Sequence, residues 1–537
     1  MKNLVFTIVL LSLAIACKAE TFIVDPNGSA DFNNIQDAIN YSWHGDTVIV
    51  KPAVYDEDIY FNSRAITLRS EDPNDPNVVN STIITIITAG SGYCVTFDFG
   101  ECSNSVITGF TIAEAQGGIL CYDSSPTITK NIIKDNSNYG IEGQYNAAPT
   151  ISDNTITSND GRGIYSCDGL ITGNTITDNG GGVANCDGTI SYNTIINNTT
   201  NDDSGAGLYD CDGTITNNTI SNNSQTYDAS PNIGGGGLCE CDGEIVNNTI
   251  MGNDAGRKGG ALFKCNGNIS SNIIVSNLAD GSYGGWGGAL CECTGGTISN
   301  NIIAGNESEK DGGGLYYCNS SIHNNTIVGN KGKDGAALYY CSGSVRNNII
   351  AFNEGPASDY VGGIYGSCDN SYNTLWMNEG RNWGGGATAG TGDICVNPLF
   401  AIDGYWSGNT WVDGDYHLKS ATGRWDPNSE AWVIDDVNSP CIDAGDPNSD
   451  WTAELWPHGK SINMGAYGGT PEASMSLSDV GNIADLNNDD MVDLFDFAIF
   501  SNDWQTENIL LSEDLDRNGV VNLADFAIFA DEWLWKQ

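Results

Sequence analysis

Short apolar runs of three to five residues, rich in Ile, Val and Thr, recur along most of this chain, separated by Gly, Asn, Asp and Ser. No run is long enough for a helix, and short strands alternating with turns predict an all-β fold. The polar positions keep a stricter beat than the apolar ones. The pattern Asn-x-[Ile/Leu]-x-x-Asn occurs eleven times, beginning at Asn131, Asn154, Asn174, Asn193, Asn218, Asn248, Asn272, Asn301, Asn325, Asn348 and Asn373 and closing five residues later each time, from Asn136 to Asn378. Successive copies average about 24 residues apart, a period of stacked structural repeats. Three short strands and three turns use about that many residues, so each repeat predicts one rung of a parallel β-helix, with rungs about 4.8 Å apart. Two asparagines per rung predict two ladders in which each amide bonds its copy in the next rung and satisfies turn backbone. A rung buries its apolar face only against its neighbours, so the solenoid needs caps.

Cysteine follows the same register. Cys167, Cys186, Cys211, Cys241, Cys265, Cys318 and Cys341 lie seven residues before the repeat asparagine, and Cys293 eight before. Seventeen cysteines in an exported chain would ordinarily read as a disulfide framework. Stacked equivalent positions, however, hold parallel side-chain vectors, which is poor disulfide geometry. The register favours a buried thiol ladder of small hydrophobes. Cys239/Cys241 and Cys291/Cys293 stay open as within-rung pairs. Also open is which residue of Gly314-Leu315-Tyr316 faces inward.

The ends set the compartment. Lys2 followed by the apolar stretch Leu4 to Ala16 reads as a signal peptide, too short for a membrane span. Cleavage after Ala19 gives a secreted protein; processing at Ala14-Ile15-Ala16-Cys17 gives one lipid-anchored through Cys17. Either way the expected location is secreted or cell-surface, with no membrane span. The formal net charge of −47 excludes nucleic acid as a partner, because phosphate binding needs Lys and Arg. It fits high solubility and cation binding.

Residues 20–100 form a different unit. Phe32 to Asn40 predicts a short amphipathic helix that covers the open end of the solenoid, followed by strands at Asp46 to Val50 and Ala65 to Arg69. The string Ile35-Gln36-Asp37-Ala38-Ile39, then Gly45-Asp46-Thr47-Val48-Ile49-Val50, then Tyr55 resembles the N-terminal cap of the pectate-lyase-like right-handed β-helix superfamily. The resemblance implies a right-handed parallel β-helix solenoid of about 11–13 rungs, with repeats over 101–394. It is weak for function, since that superfamily holds lyases, glycoside hydrolases, esterases, epimerases and non-catalytic surface proteins. Residues 395–475 lose the rung pattern, and eight of the thirteen tryptophans lie between Trp376 and Trp456. Exposed, these would be sugar-stacking platforms; buried, they are the core of a C-terminal cap, the reading favoured.

The sharpest chemistry lies in residues 476–537, which hold 14 acidic and 2 basic residues. Two twelve-residue loops begin 29 residues apart, at Asp485 and Asp514. The first offers Asp485, Asn487, Asp489, the Met491 carbonyl, Asp493 and Asp496. The second offers Asp514, Asp516, Asn518, the Val520 carbonyl, Asn522 and Asp525. Oxygens at positions 1, 3, 5, 7, 9 and 12 are the EF-hand calcium spacing. Position 6 needs a left-handed turn, which Gly519 meets and Asp490 tolerates. Helix-like runs follow both loops. Paired loops of this kind, with Asp at position 12, resemble a type I dockerin, a small α-helical calcium-binding module. The resemblance implies two calcium ions, a cohesin-type partner, recognition through Leu494, Phe495, Leu523 and Ala524, and carbohydrate-active cargo.

The rungs carry no named catalytic signature. Lys258, Lys310 and Lys333 occupy equivalent loops just before the Gly-rich strand starts, beside Asp254, Asp280, Glu307, Glu309, Asp311 and Asp334. A polysaccharide lyase needs a positive group or cation to neutralise a uronate and a base for the C5 proton, so these lysines are the catalytic candidates and further calcium is expected nearby. A glycoside hydrolase would need a carboxylate pair, which this face offers without a way to choose. The expected function is an exported protein acting on polysaccharide, of lyase or hydrolase type. The alternative is a non-catalytic adhesion protein that binds glycans or matrix.

Overall fold

The computed structural model describes residues 19–28, 30–86, 92–202, 205–226, 232–281, 284–357 and 359–537; the expected leader and Cys17 lie outside the described residues. The chain from Thr21 to Gly384 winds as a parallel β-helix with three long faces. In one rung, Leu315–Tyr316 lies on one face, Ser321–His323 on the next and Thr326–Val328 on the third. The faces holding these strands contain 14, 15 and 14 strands, every pair parallel. A short fourth sheet of five strands runs from Thr199–Thr200 to Glu307–Ser308. The stack is longer than the expected eleven to thirteen rungs, because N-terminal strands such as Thr47–Val50 and Thr67–Ser70 already belong to it.

The rungs hold together for the reason the pattern implies. The middle residue of each three-residue strand points inward, so Ile128, Ile151, Ile171, Ile190 and Ile215 stack in register on one face, all fully buried. Each such burial contributes about 1.5–3 kcal/mol. Leu315 faces inward and Tyr316 outward, which answers the open Gly-Leu-Tyr question. Both asparagine ladders are present. Asn301 donates its backbone N–H and its Nδ2 to Oδ1 of Asn325, each at 3.0 Å, and Nδ2 also reaches the Ile269 carbonyl at 2.8 Å. Asn306 does the same towards Asn330. The first ladder closes on a carboxylate, where Asn373 donates N–H and Nδ2 to Asp393 Oδ1 at 2.9 and 3.1 Å.

The described cysteines are free thiols. Cys241 and Cys293 point into the main core, whereas Cys239 and Cys291 lie on the outer surface of their sheet against Phe263. Opposite faces keep the two within-rung pairs apart, so the thiol ladder stands.

Helix Ile35–Tyr41 covers the first rung. Asn34 caps it by accepting from the Asp37 N–H, and Ile35, Ala38 and Ile39 are buried. At the other end none of the eight tryptophans is exposed: Trp376 and Trp383 sit on the last strands of the solenoid, and the other six lie in the cap. The hairpin of Tyr405–Ser407 and Thr410–Val412 lays Trp411 across Gly305 and Gly329, both at positive φ, where a Cβ would meet the indole at 2.1 and 2.0 Å. Trp406 donates Nε1–H to the Gly329 carbonyl at 2.8 Å.

Residues 476–537 add two helices, Leu494–Asn502 and Leu523–Asp531, each opened by a capping box on Asp493 or Asn522. Phe500 and Phe529 stack at 5.4 Å in a small separate core. Arg517 donates to the Trp456 carbonyl at 3.5 Å and Lys460 pairs with Asp490, so this unit rests on the C-terminal cap. Among the described residues no helix is long and apolar enough to cross a membrane.

Candidate functional site

The outer surface of the face that carries Leu315–Tyr316 holds a groove that the repeat pattern alone does not announce. In rungs 141–209 its outward positions are Glu142, Tyr165, Ala184 and Tyr209, one per rung and directly in register. Ala184 is small where its neighbours are tyrosines, and the missing volume opens the floor between Tyr165 and Tyr209. Tyr139, from the preceding turn, lies flat on Tyr165, with centroids 4.6 Å apart and planes 4° apart. The resulting groove has a volume of about 790 Å³ and is also lined by Arg162, Asp160, Asp202 and Asp210. A second groove of about 600 Å³ adjoins it through the shared Tyr165, Asn185 and Asp210.

Arg162 is the one cation of this region, its side chain 8% exposed. Nη1 donates to the Gly205 carbonyl at 2.5 Å, Nη2 lies 3.7 Å from Asp202, and the guanidinium sits 5.9 Å from the Tyr209 ring centre. Gly181 makes this seat. Its φ of +138° suits glycine, and a Cβ there would lie 2.4 Å from Arg162 Nη1. Burial lowers the Arg162 pKa from its ordinary value, and Asp202 opposes that shift. Burial raises Tyr139 and Tyr209. It also raises Asp210, helped by neighbouring Asp212.

Beside the tyrosines runs a third ladder. Asp168 Oδ1 accepts the Asp187 N–H at 3.0 Å, Asp187 the Asp212 N–H at 3.0 Å, and Asp212 the Asp242 N–H at 2.8 Å. These carboxylates are exposed, at one per rung. A signal for them existed in the sequence, since Cys-Asp-Gly recurs at Cys167, Cys186, Cys211 and Cys241. Flat aromatic faces next to hydrogen-bonding groups suit a sugar ring, which has an apolar face and a polar edge.

The lysines occupy another part of the solenoid. Lys258 pairs with Trp286 in the next rung and its ammonium contacts Glu292 at 2.5 Å. Lys310 and Lys333 are rung neighbours, Lys333 donating its backbone N–H to the Lys310 carbonyl. Lys310 Nζ meets Glu309 at 3.0 Å, and that partner raises its pKa, which holds the proton on. Asp254 lies in the short fourth sheet, where burial, then Asp280, raises its pKa to about 6. His417 is locked inside the C-terminal cap between Asp415 Oδ1 at 2.6 Å and Glu472 Oε2 at 3.3 Å.

The two acidic loops fold alike. Asp514 accepts from the Asn518 and Gly519 N–H groups, and Asp525 from those of Asp516 and Asn522. Asp485 and Asp496 repeat the pattern with Asp489, Asp490, Asn487 and Asp493. Asp490 has a φ of 69°, the left-handed value that position 6 requires. One carboxylate oxygen from each of Asp514, Asp516 and Asp525 lies within 4.8 Å of the others, a donor set that fits a hard divalent cation. Leu494, Phe495 and Leu523 are exposed.

A family model described as right handed beta helix region matches residues 33–169 and 100–238, and one described as disaggregatase related matches residues 269–445. No curated protein matches the chain. Among solved structures it is similar to the PL6 family alginate lyase AlyGC, with 13% identity, TM-score 0.38, and coverage of 78% of this chain and 57% of that one. It is also similar to XylC in complex with xylose, at 11% identity, TM-score 0.35, covering 73% and 88%, and to pectate lyase Pel9A, at 14%, 0.26, covering 83% and 96%. The chain therefore spans a little over half the length of the alginate lyase structure. The class that the fold defines is a right-handed parallel β-helix protein.

Proposed function

We propose that this is an exported β-helix protein that holds polysaccharide chains along the groove of its tyrosine-bearing face and is attached to a complex or surface through its C-terminal module. One observation carries the reading. Two cavities lie side by side on this face, each lined by several successive rungs, with Tyr139, Tyr165 and Tyr209 in the first and the carboxylates of Asp168, Asp187 and Asp212 in the second. A linear polymer suits a groove of this shape better than a compact ligand does. The test is calorimetric binding of neutral and charged oligosaccharides to the full chain and to Tyr165→Ala. Saturable binding that weakens in the variant supports the reading; no binding by any oligosaccharide sinks it.

The C-terminal module is read as dockerin-type. Asp485, Asn487, Asp489, the Met491 carbonyl, Asp493 and Asp496 would hold one calcium ion, and Asp514, Asp516, Asn518, the Val520 carbonyl, Asn522 and Asp525 a second. Bound calcium would relieve the repulsion among the loop carboxylates and fix the helices that follow. The exposed Leu494, Phe495 and Leu523 then offer an apolar contact to a cohesin-type partner.

Whether the polymer is cleaved separates two versions of this proposal. A lyase or hydrolase would release products from a polysaccharide panel, scored for unsaturated and reducing ends with calcium and with chelator. Binding without turnover is favoured by one observation: Lys258 and Lys310 are engaged by Glu292 and Glu309, and Lys310 is held protonated rather than poised as a base.

A further inference from the structure

The charge of the groove selects among glycans. Between Asp135 and Asp254 the sequence has sixteen acidic residues and one basic residue, Arg162. That guanidinium is buried and engaged by Asp202 and the Gly205 carbonyl. Asp168, Asp187 and Asp212 line the second groove, which joins the first at Tyr165, Asn185 and Asp210. Each uses one oxygen to accept a backbone N–H from the next rung and leaves an exposed carboxylate every rung, about 4.8 Å apart. That pitch is close to the length of one sugar ring, so a linear glycan lying on the tyrosines sets about one substituent beside each carboxylate. A polyuronate would place anion against anion along the whole contact, and like charges juxtaposed across an interface oppose binding.

We infer that the groove takes a glycan carrying amino groups, its ammonium substituents pairing with the ladder of Asp168, Asp187 and Asp212 while its rings lie on Tyr139, Tyr165 and Tyr209. This rests on the reading that the groove holds a polysaccharide at all. The basic cluster from Arg257 to Arg346 lies further along the solenoid and does not offset the charge here. The ladder itself tolerates removal of the charge. Asn266 already occupies the equivalent position, accepting the Thr294 N–H at 2.9 Å and donating to Asp242.

The experiment is titration calorimetry on the full chain at fixed calcium, with hexamers of glucosamine, N-acetylglucosamine and galacturonate as probes. The glucosamine hexamer is expected to bind about tenfold tighter than the acetylated one at low salt, with the preference fading as salt rises. The triple variant D168N/D187N/D212N is expected to abolish that preference, bringing the glucosamine hexamer to the affinity of the acetylated one. Equal binding of the charged and neutral hexamers overturns the inference but leaves the groove reading intact, as does tightest binding by galacturonate. Failure of every hexamer overturns both. Circular dichroism of the triple variant, compared with the parent, separates lost charge from lost structure.

Discussion

One oxygen of Asn325 serves two donors from the rung before it: the backbone N–H and the Nδ2 of Asn301, each at 3.0 Å. Asn325 in turn gives its own two donors to Asn348 Oδ1 at 2.9 and 3.0 Å, and Nδ2 also reaches the Ile298 and His323 carbonyls. A single side chain thus closes two turns and links three rungs.

Asn325→Leu strands the buried Asn301 N–H, leaves Asn301 Nδ2 with the Ile269 carbonyl alone, and takes a donor from the Ile298 and His323 carbonyls. At about 1–3 kcal/mol for a stranded group, the loss is expected to exceed about 3 kcal/mol. Asn325→Asp keeps the acceptor and loses the Nδ2 donors, so it should cost less. Urea midpoints of the two variants measure the order, and equal midpoints would contradict the ladder account.

The stacked thiols from Cys167 to Cys341 are buried, and burial pushes the Cys167 thiol up, away from the reactive thiolate. Cys102 and Cys395 are exposed. A small thiol reagent is expected to label these two quickly in the native protein and the stack only after denaturation, with no reductant needed. Labelling of the stack that requires reductant would show disulfides instead.

Asp254 carries a buried Oδ1 with no hydrogen-bond partner among the described residues, and its pKa is raised to about 6 by burial and by Asp280. A carboxyl whose folded pKa lies above its unfolded one binds its proton better when folded. Its stabilising contribution is full below about pH 4 and is lost as pH rises through about 6. Asp254→Asn is therefore expected to stabilise the protein above pH 6, by about 1 kcal/mol after allowing for partial exposure, and to do little at pH 4. Thermal midpoints at the two pH values measure this.

If the acidic loops hold calcium as proposed, its removal is expected to unfold or loosen residues 476–537 and spare the solenoid, since the two have separate cores. Calorimetry on the full chain should show one transition moving down with chelator while the larger one stays. Asp514→Ala should reproduce most of that shift without chelator.

Much of the solenoid was legible because its polar spacing is set by the backbone. An asparagine that satisfies a turn must recur wherever the turn does, so Asn131 to Asn378 traced the rungs directly. The left-handed position of Asp490 was legible for the same reason. The groove was not. It depends on Ala184 being small between two tyrosines and on Gly181 giving Arg162 a seat, relations between rungs whose loops differ in length. Lys258, Lys310 and Lys333 share a loop position in sequence, yet variable loop length puts Lys258 beside Trp286 and only the other two in adjacent rungs.

Every amide-to-amide bond of the asparagine column runs to the next rung, while each Nδ2 also reaches a carbonyl of the rung before, and the column ends where Asn373 turns its donors on Asp393. The column therefore has a sense, its last amide-directed donors facing the C-terminal end and a carboxylate placed there to receive them. A rung added beyond Asn373 would have to displace that anion, whereas one inserted mid-column inherits the alignment on both sides. Lengthening by internal duplication is thus the route this architecture leaves open, and the unequal spacing of its repeats costs the column nothing.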